Sequence, residues 1–138
     1  MTIALLILAL IVVAVLALHA YKRLREFQQQ RMKENEYNTA VVVWTYARLV
    51  KSQIDESVRH GTGVIDFANM TVPHSTGYNV ALELTGFSFR VHAGPQKYNR
   101  TGRLSFHIDN SLTVRAADRA GDAANDTDPE YSGESSTQ

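Results

Sequence analysis

An α+β fold, with one long N-terminal helix packed on a small antiparallel β-sheet, is what three features of this 138-residue sequence predict. Residues 3–18 are an unbroken apolar run without charge, glycine or proline. Apolar residues then recur at three- and four-residue steps through residues 37–58, and beyond Gly61 the period changes to two. The length allows one domain, and the N-terminal run takes part of it, so the remaining core must be small.

The run extends through His19, Ala20 and Tyr21 before the first charge at Lys22. At ~1.5 Å per residue, about twenty such residues cross a ~30 Å hydrocarbon layer. Residues 1–21 are therefore expected to be a retained transmembrane or core helix rather than a cleaved signal, since no basic residue precedes the run and no clear cleavage site follows it. Residues 22–60 should continue the helix: 22–36 are polar but contain no breaker, and from residue 37 the pattern is amphipathic. Tyr37, Ala40, Val41, Trp44, Ala47, Ile54 and Val58 define the face expected to meet the rest of the domain. The β-branched Val41-Val42-Val43 would also suit a strand, but the flanking spacing and the length favour helix. Val42, Tyr46 and Leu49 lie off that face, as a wider core surface or as a contact with another subunit. Arg59 and His60 suit a helix C-terminus, and Gly61 suits the left-handed residue that ends it.

Residues 61–117 read as an antiparallel headpiece. A turn at Gly61-Thr62-Gly63 precedes the short apolar piece Val64-Ile65-Asp66-Phe67, and residues 73–77 form a loop. Tyr78, Val80, Leu82 and Leu84 alternate with smaller or polar residues, as do Phe87, Phe89 and Val91, with a change of parity at Thr85-Gly86 that predicts a tight hairpin. Leu104, Phe106 and Ile108 mark a third strand. Asp109-Asn110-Ser111 is a turn, and a last strand starts at Leu112 and ends near Ala116. The amphipathic part of the helix is the cover available for one face of this meander. The expected headpiece core is Tyr37, Val41, Trp44, Ile54, Tyr78, Phe89 and Phe106. Residues 118–138 carry one arginine against six acids and few apolar groups, and predict a mobile acidic tail.

Lys and Arg together number 14, as do Asp and Glu, so no basic surface dominates and no nucleic-acid partner is expected. The absence of cysteine excludes disulfides, thiolate metal sites and cysteine nucleophiles. His107 and Asp109 lie two apart on one strand, too few ligands for a metal. Asp122, Asn125, Asp126 and Asp128 lack the spacing of a calcium loop. Asn69, Asn99 and Asn125 begin glycosylation triplets. No catalytic group, cofactor or metal is expected, and an enzyme is the least favoured class.

Three short stretches resemble those of bacterial type IV pilins and type II secretion pseudopilins. Arg31-Met32-Lys33-Glu34-Asn35-Glu36, followed by Ala40-Val41, is similar to an Arg-x-x-x-Asn-Glu-x-x-x-Ala-Val stretch found in a pilin-like subgroup. Gly77-Tyr78-Asn79-Val80 resembles its Gly-Tyr-x-Phe strand start. Residues 101–111, with Val114-Arg115, resemble its Thr-Gly-x-x-x-Phe-x-x-Asp-x-Ser-Gly-x-Ile-Arg ending, with Leu112 in place of the glycine. Leu5 stands where the family usually has a glutamate, and the family's helix-kinking proline is missing. The resemblance implies a filament subunit anchored in the inner membrane and later assembled as a homo-oligomer, either a cell-surface pilus or a periplasmic pseudopilus. Ile3, Leu6, Leu10, Val13 and Leu16 would exchange membrane lipid for neighbouring helices, with Val42, Tyr46 and Leu49 as further assembly contacts. A competing expectation comes from Lys22, Arg23, Arg25, Arg31 and Lys33 just after the span: the positive-inside rule would make the chain a single-pass adaptor with a cytoplasmic α+β domain.

Overall fold

A computed structural model describes residues 2–61, 65 and 70–133. One helix, α1 (Thr2–His60), is followed by β1 (Tyr78–Thr85), β2 (Ser88–Pro95), β3 (Leu104–Asp109) and β4 (Arg115–Asp118), the expected α+β architecture. The chain divides into two compact units, Met1–Arg31 and Met32–Gln138. In the first, every side chain from residue 3 to 31 is exposed.

No glycine or proline occurs before Gly61, so nothing in the chain interrupts the hydrogen-bond ladder of α1. Val41-Val42-Val43 is helical despite its β-branched side chains. The helix stops at Gly61, which has φ +64° and donates its N–H to Val58 O at 3.2 Å, the left-handed ending that a side chain would disfavour. The expected turn at 61–63 and apolar piece at 64–67 fall mostly outside the described residues, but Ile65 packs against the core.

The sheet is the expected meander, ordered β1-β2-β3-β4 with every neighbour antiparallel. Thr85 pairs with Ser88, leaving Gly86 and Phe87 as a two-residue hairpin turn, with Gly86 at φ +60°. Phe87 thus belongs to the turn and is exposed, while Phe89 and Val91 point into the core. β4 begins three residues later than the sequence pattern predicts. The Ser111 amide donates to Asp109 Oδ1, the Leu112 amide donates to Asp109 O, and Leu112 itself has φ +59°. This turn runs through Leu112 and delays pairing until Arg115.

Val43, Ala47, Val50 and Ile54 of α1 share one buried cluster with Phe89, Val91 and Ala93 of β2 and Phe106 and Ile108 of β3. Each large member stabilises the fold by about 1.5–3 kcal/mol through burial. The helix face differs from the expected one. Ala40, Ala47 and Ile54 are buried as read, but Tyr37, Val41 and Trp44 are 58%, 47% and 41% exposed, and Val58 is exposed too. The buried stripe lies one residue back, at Glu36, Ala40, Val43 and Ser57, with Thr39, Tyr46 and Val50 completing it. One residue is ~100° of rotation at 3.6 residues per turn. Three polar residues, Glu36, Thr39 and Ser57, occupy the stripe, so hydropathy alone centres it on the wrong residues.

The expected mobile tail is also corrected. Residues 119–131 fold back across the sheet edge: Ala116 donates its N–H to Pro129 O at 3.0 Å, and the Tyr131 N–H donates to Val114 O at 2.8 Å. Ala124 and Asp128 are buried, and the Tyr131 ring meets Phe106 edge-on at 5.3 Å. Arg119 pairs with Asp128, which also accepts the Asn125 amide at 2.8 Å. This ion pair and the amide bond hold the Asp128 carboxyl below the usual carboxylate range, although burial opposes them. A segment with few apolar residues is thus ordered chiefly by hydrogen bonds, which composition does not reveal.

Candidate functional site

Each of the two units presents an exposed apolar surface. The first is the helix segment 3–18. Ile3, Leu6, Leu10, Val13 and Leu16 are 63–74% exposed, and the large apolar residues between them are exposed as well. The helix is long and apolar enough to cross a membrane. Exposed Leu, Ile and Val side chains in water would cost about 1.5–3 kcal/mol each relative to burial, so this surface requires lipid or other helices around it.

The second surface lies in the other unit, on the outer side of α1. Tyr37, Val41, Trp44 and Leu49 are exposed there, and the Arg48 guanidinium lies 4.7 Å from the Trp44 ring centroid. Of the three assembly contacts expected on this part of the helix, Leu49 is exposed. Val42 is half-buried, and Tyr46 is 5% exposed and belongs to the headpiece core. Burial raises the Tyr46 phenol pKa, and its hydroxyl has no hydrogen-bond partner among the described residues. Tyr46 is therefore a core residue. The outward apolar set is Tyr37, Val41, Trp44 and Leu49.

A clasp fixes residues 35–39 of α1 to the sheet, and it is built from the three stretches that carry the resemblance. Glu36 Oε1 accepts the backbone N–H of Arg103 at 2.7 Å and of Leu104 at 3.2 Å. Asn35 Nδ2 donates to Thr101 O at 2.9 Å, and Thr39 Oγ1 lies 2.7 Å from Ser75 Oγ. Tyr78 donates its hydroxyl proton to Leu104 O at 2.9 Å. Burial first, then the nearby Glu36 carboxylate and Tyr131, push the Tyr78 phenol pKa far up, so it remains a donor.

The clasp closes on glycines. A Cβ on Gly102 would stand 1.9 Å from Tyr78 Oη, and one on Gly77, where φ is +76°, would stand 2.8 Å from Thr101 Cβ. Asn35-Glu36, Gly77-Tyr78 and Thr101-Gly102 are far apart in sequence and meet at one point. Together these bonds set the helix on the sheet.

Elsewhere, a shallow recess lined by Arg48, Lys51, Ser52, Asp55, Glu56, Arg59 and Leu112 contains charges of both signs, with Lys51 and Asp55 paired across one turn at 3.7 Å. Among the described residues, no three His, Cys, Asp or Glu side chains gather as metal ligands. Of the acidic group expected in the tail, Asp128 is the ion-paired centre of the folded-back segment. Sequence reasoning missed Glu36, since an ionisable residue on a helix is usually solvent-facing; the signal available was its place in the Asn-Glu stretch. Comparison with family models, with curated proteins and with solved structures returned no match.

Proposed function

We propose that this chain is a structural subunit of a pilin-like filament, held in a membrane by residues 3–18 before assembly. The observation that supports this most is the pairing of a fully exposed apolar helix with a separately packed headpiece unit. Such a helix suits a component that moves from lipid to a bundle of like helices. Lipid tails are about as apolar as leucine, so the transfer changes little hydrophobic free energy, and van der Waals fit between helices must select the assembled state. Tyr37, Val41, Trp44 and Leu49 supply a separate apolar surface on the headpiece part of α1 and replace Val42 and Tyr46 as contacts between copies. The meeting of the three pilin-like stretches in one clasp supports the same reading, because the residues that carry the resemblance act here as one unit.

A second reading rests on charge: Lys22, Arg23, Arg25, Arg31 and Lys33 follow the span and favour a cytoplasmic headpiece. The side of the membrane separates the two. The chain contains no cysteine, and Ser132 is exposed, so Ser132→Cys introduces a single accessible thiol. In intact cells or spheroplasts this thiol is expected to react with a membrane-impermeant reagent. Reaction only after lysis, with anchoring confirmed, would favour the adaptor.

A further inference from the structure

The sheet face turned away from the helix core carries a histidine pair that the filament reading does not use. His92 of β2 and His107 of β3 are register partners, with ring centroids 5.0 Å apart and Nδ1 to Nδ1 at 3.5 Å. His107 is 3% exposed, and its Nε2 has no hydrogen-bond partner. A carboxylate stands at each outer end: Glu83 Oε2 is 3.7 Å from His92 Nε2, and Asp109 Oδ2 is 3.8 Å from His107 Nε2. The four groups form a line across three adjacent strands. Beside it run residues 119–131, tied down by Arg115, whose Nη1 donates to Asp128 O at 2.9 Å and whose Cα partner in the sheet is His107.

Proton counting along the line is decisive. It has three gaps: Glu83 to His92, His92 to His107, and His107 to Asp109. Two neutral imidazoles carry two ring protons, which leaves one gap empty. If His107 Nδ1 donates to His92 Nδ1 and His92 Nε2 faces Glu83, the empty gap is at His107 Nε2, the atom found without a partner. One added proton fills all three gaps with one proton each. A second added proton puts two N–H groups head to head across 3.5 Å in a part-buried site.

We propose that His92 and His107 act as one proton-responsive latch beside residues 119–131: the line between Glu83 and Asp109 accommodates a single excess proton, one proton to each gap, and a second proton releases the segment. The charged groups around it oppose one another. His92 and Arg90 of β2 disfavour charge on His107, whereas Asp109 of β3 and Asp126 of the folded-back segment favour it. Asp128 also faces His107 but is engaged by Arg119, and Glu83 of β1 faces His92. Burial first, then His92, lower the His107 pKa from its ordinary value. Burial works against charge on Asp109 as well, but the bonds from Ser111 outweigh it and keep this carboxylate ionised in mild acid. The sign follows: stability linked to neutral His107 is present above the unfolded value of about 6.5 and is lost as pH falls toward the depressed folded value.

The test uses the full chain in detergent micelles with 15N-labelled histidine and a metal chelator, titrated from pH 8 to pH 4. Ring nitrogen shifts of His92 and His107 are expected to report two shared steps. Amide exchange at Ala116 and Tyr131, which hold residues 119–131, should accelerate about tenfold on the second step, the equivalent of one pKa unit of coupling, and not on the first. His92→Gln should merge the steps into one and abolish most of the acceleration. Independent single-step titration of the two rings in the unsubstituted chain would overturn the proposal. So would unchanged Tyr131 exchange after both protons are bound, or two-step behaviour that disappears when chelator is added.

Discussion

Gly102→Ala is expected to unfold the headpiece at temperatures where the unsubstituted chain is stable. The new Cβ would lie 1.9 Å from Tyr78 Oη and 2.6 Å from Cζ, and neither atom has room to retreat. The Tyr78 ring is 2% exposed, packs against Phe106 at 5.7 Å between centroids, and is tethered through its hydroxyl to Leu104 O. Overpacking a well-filled site costs about 1–3 kcal/mol, and a rigid aromatic ring places this case at the upper end. For a domain of this size, about 3 kcal/mol lowers Tm by on the order of 15 °C. Near-UV circular dichroism on the full chain in micelles would measure it. In a Tyr78→Ala background the same glycine change should cost much less, because the clash has been removed; equal costs in both backgrounds would contradict the account.

Glu36→Ala should be nearly as damaging, for a different reason. Its carboxylate satisfies two backbone donors, the amides of Arg103 and Leu104, at a position 8% exposed. Truncation leaves both donors unpaired beside the core, at about 1–3 kcal/mol each. Glu36→Gln retains an acceptor oxygen and loses only the charge assistance, so its cost should be about 1 kcal/mol. Thermal melts should rank alanine well below glutamine, with amide exchange at Arg103 and Leu104 faster in the alanine variant. Equal effects of the two substitutions would show that the hydrogen bonds contribute little.

The legible parts of this fold were those set by local pattern. The apolar run at 3–18, the absence of any helix breaker before Gly61, and the period-two strands around Phe89 and Phe106 each have a direct cause in side-chain chemistry, and each predicts its element. What was not legible depends on pairing between distant residues. The buried helix face lies one residue from the hydropathy stripe because two polar residues on it are held by partners elsewhere in the fold: Glu36 by the 103–104 amides and Thr39 by Ser75. Residues 119–131 read as solvated because their order comes from Arg119, Asp128 and backbone bonds to β4 rather than from a hydrophobic run. His92 and His107 are fifteen residues apart in the chain. The β2–β3 register makes them neighbours.

The same distinction applies to the candidate assembly surface. Tyr46 looked like an outward residue only because the stripe was centred on Trp44; once Val43 and Val50 define the inner face, Tyr46 falls inside and Trp44 outside. The apolar groups left outward on the headpiece part of α1 include two aromatic rings, Tyr37 and Trp44, the residue types that contribute most when buried at an interface. Their burial between copies would add to that of residues 3–18, and together they carry the proposal of self-assembly.

The most direct measurement of that claim is electron microscopy of material sheared from cells that produce the chain, combined with mass spectrometry of the same fraction. The account predicts filaments that contain this chain, with peptides from residues 3–18 recovered from them, because the apolar helix is buried inside the assembly rather than left in lipid. A chain confined to the membrane fraction, with no filament containing it, would contradict the account.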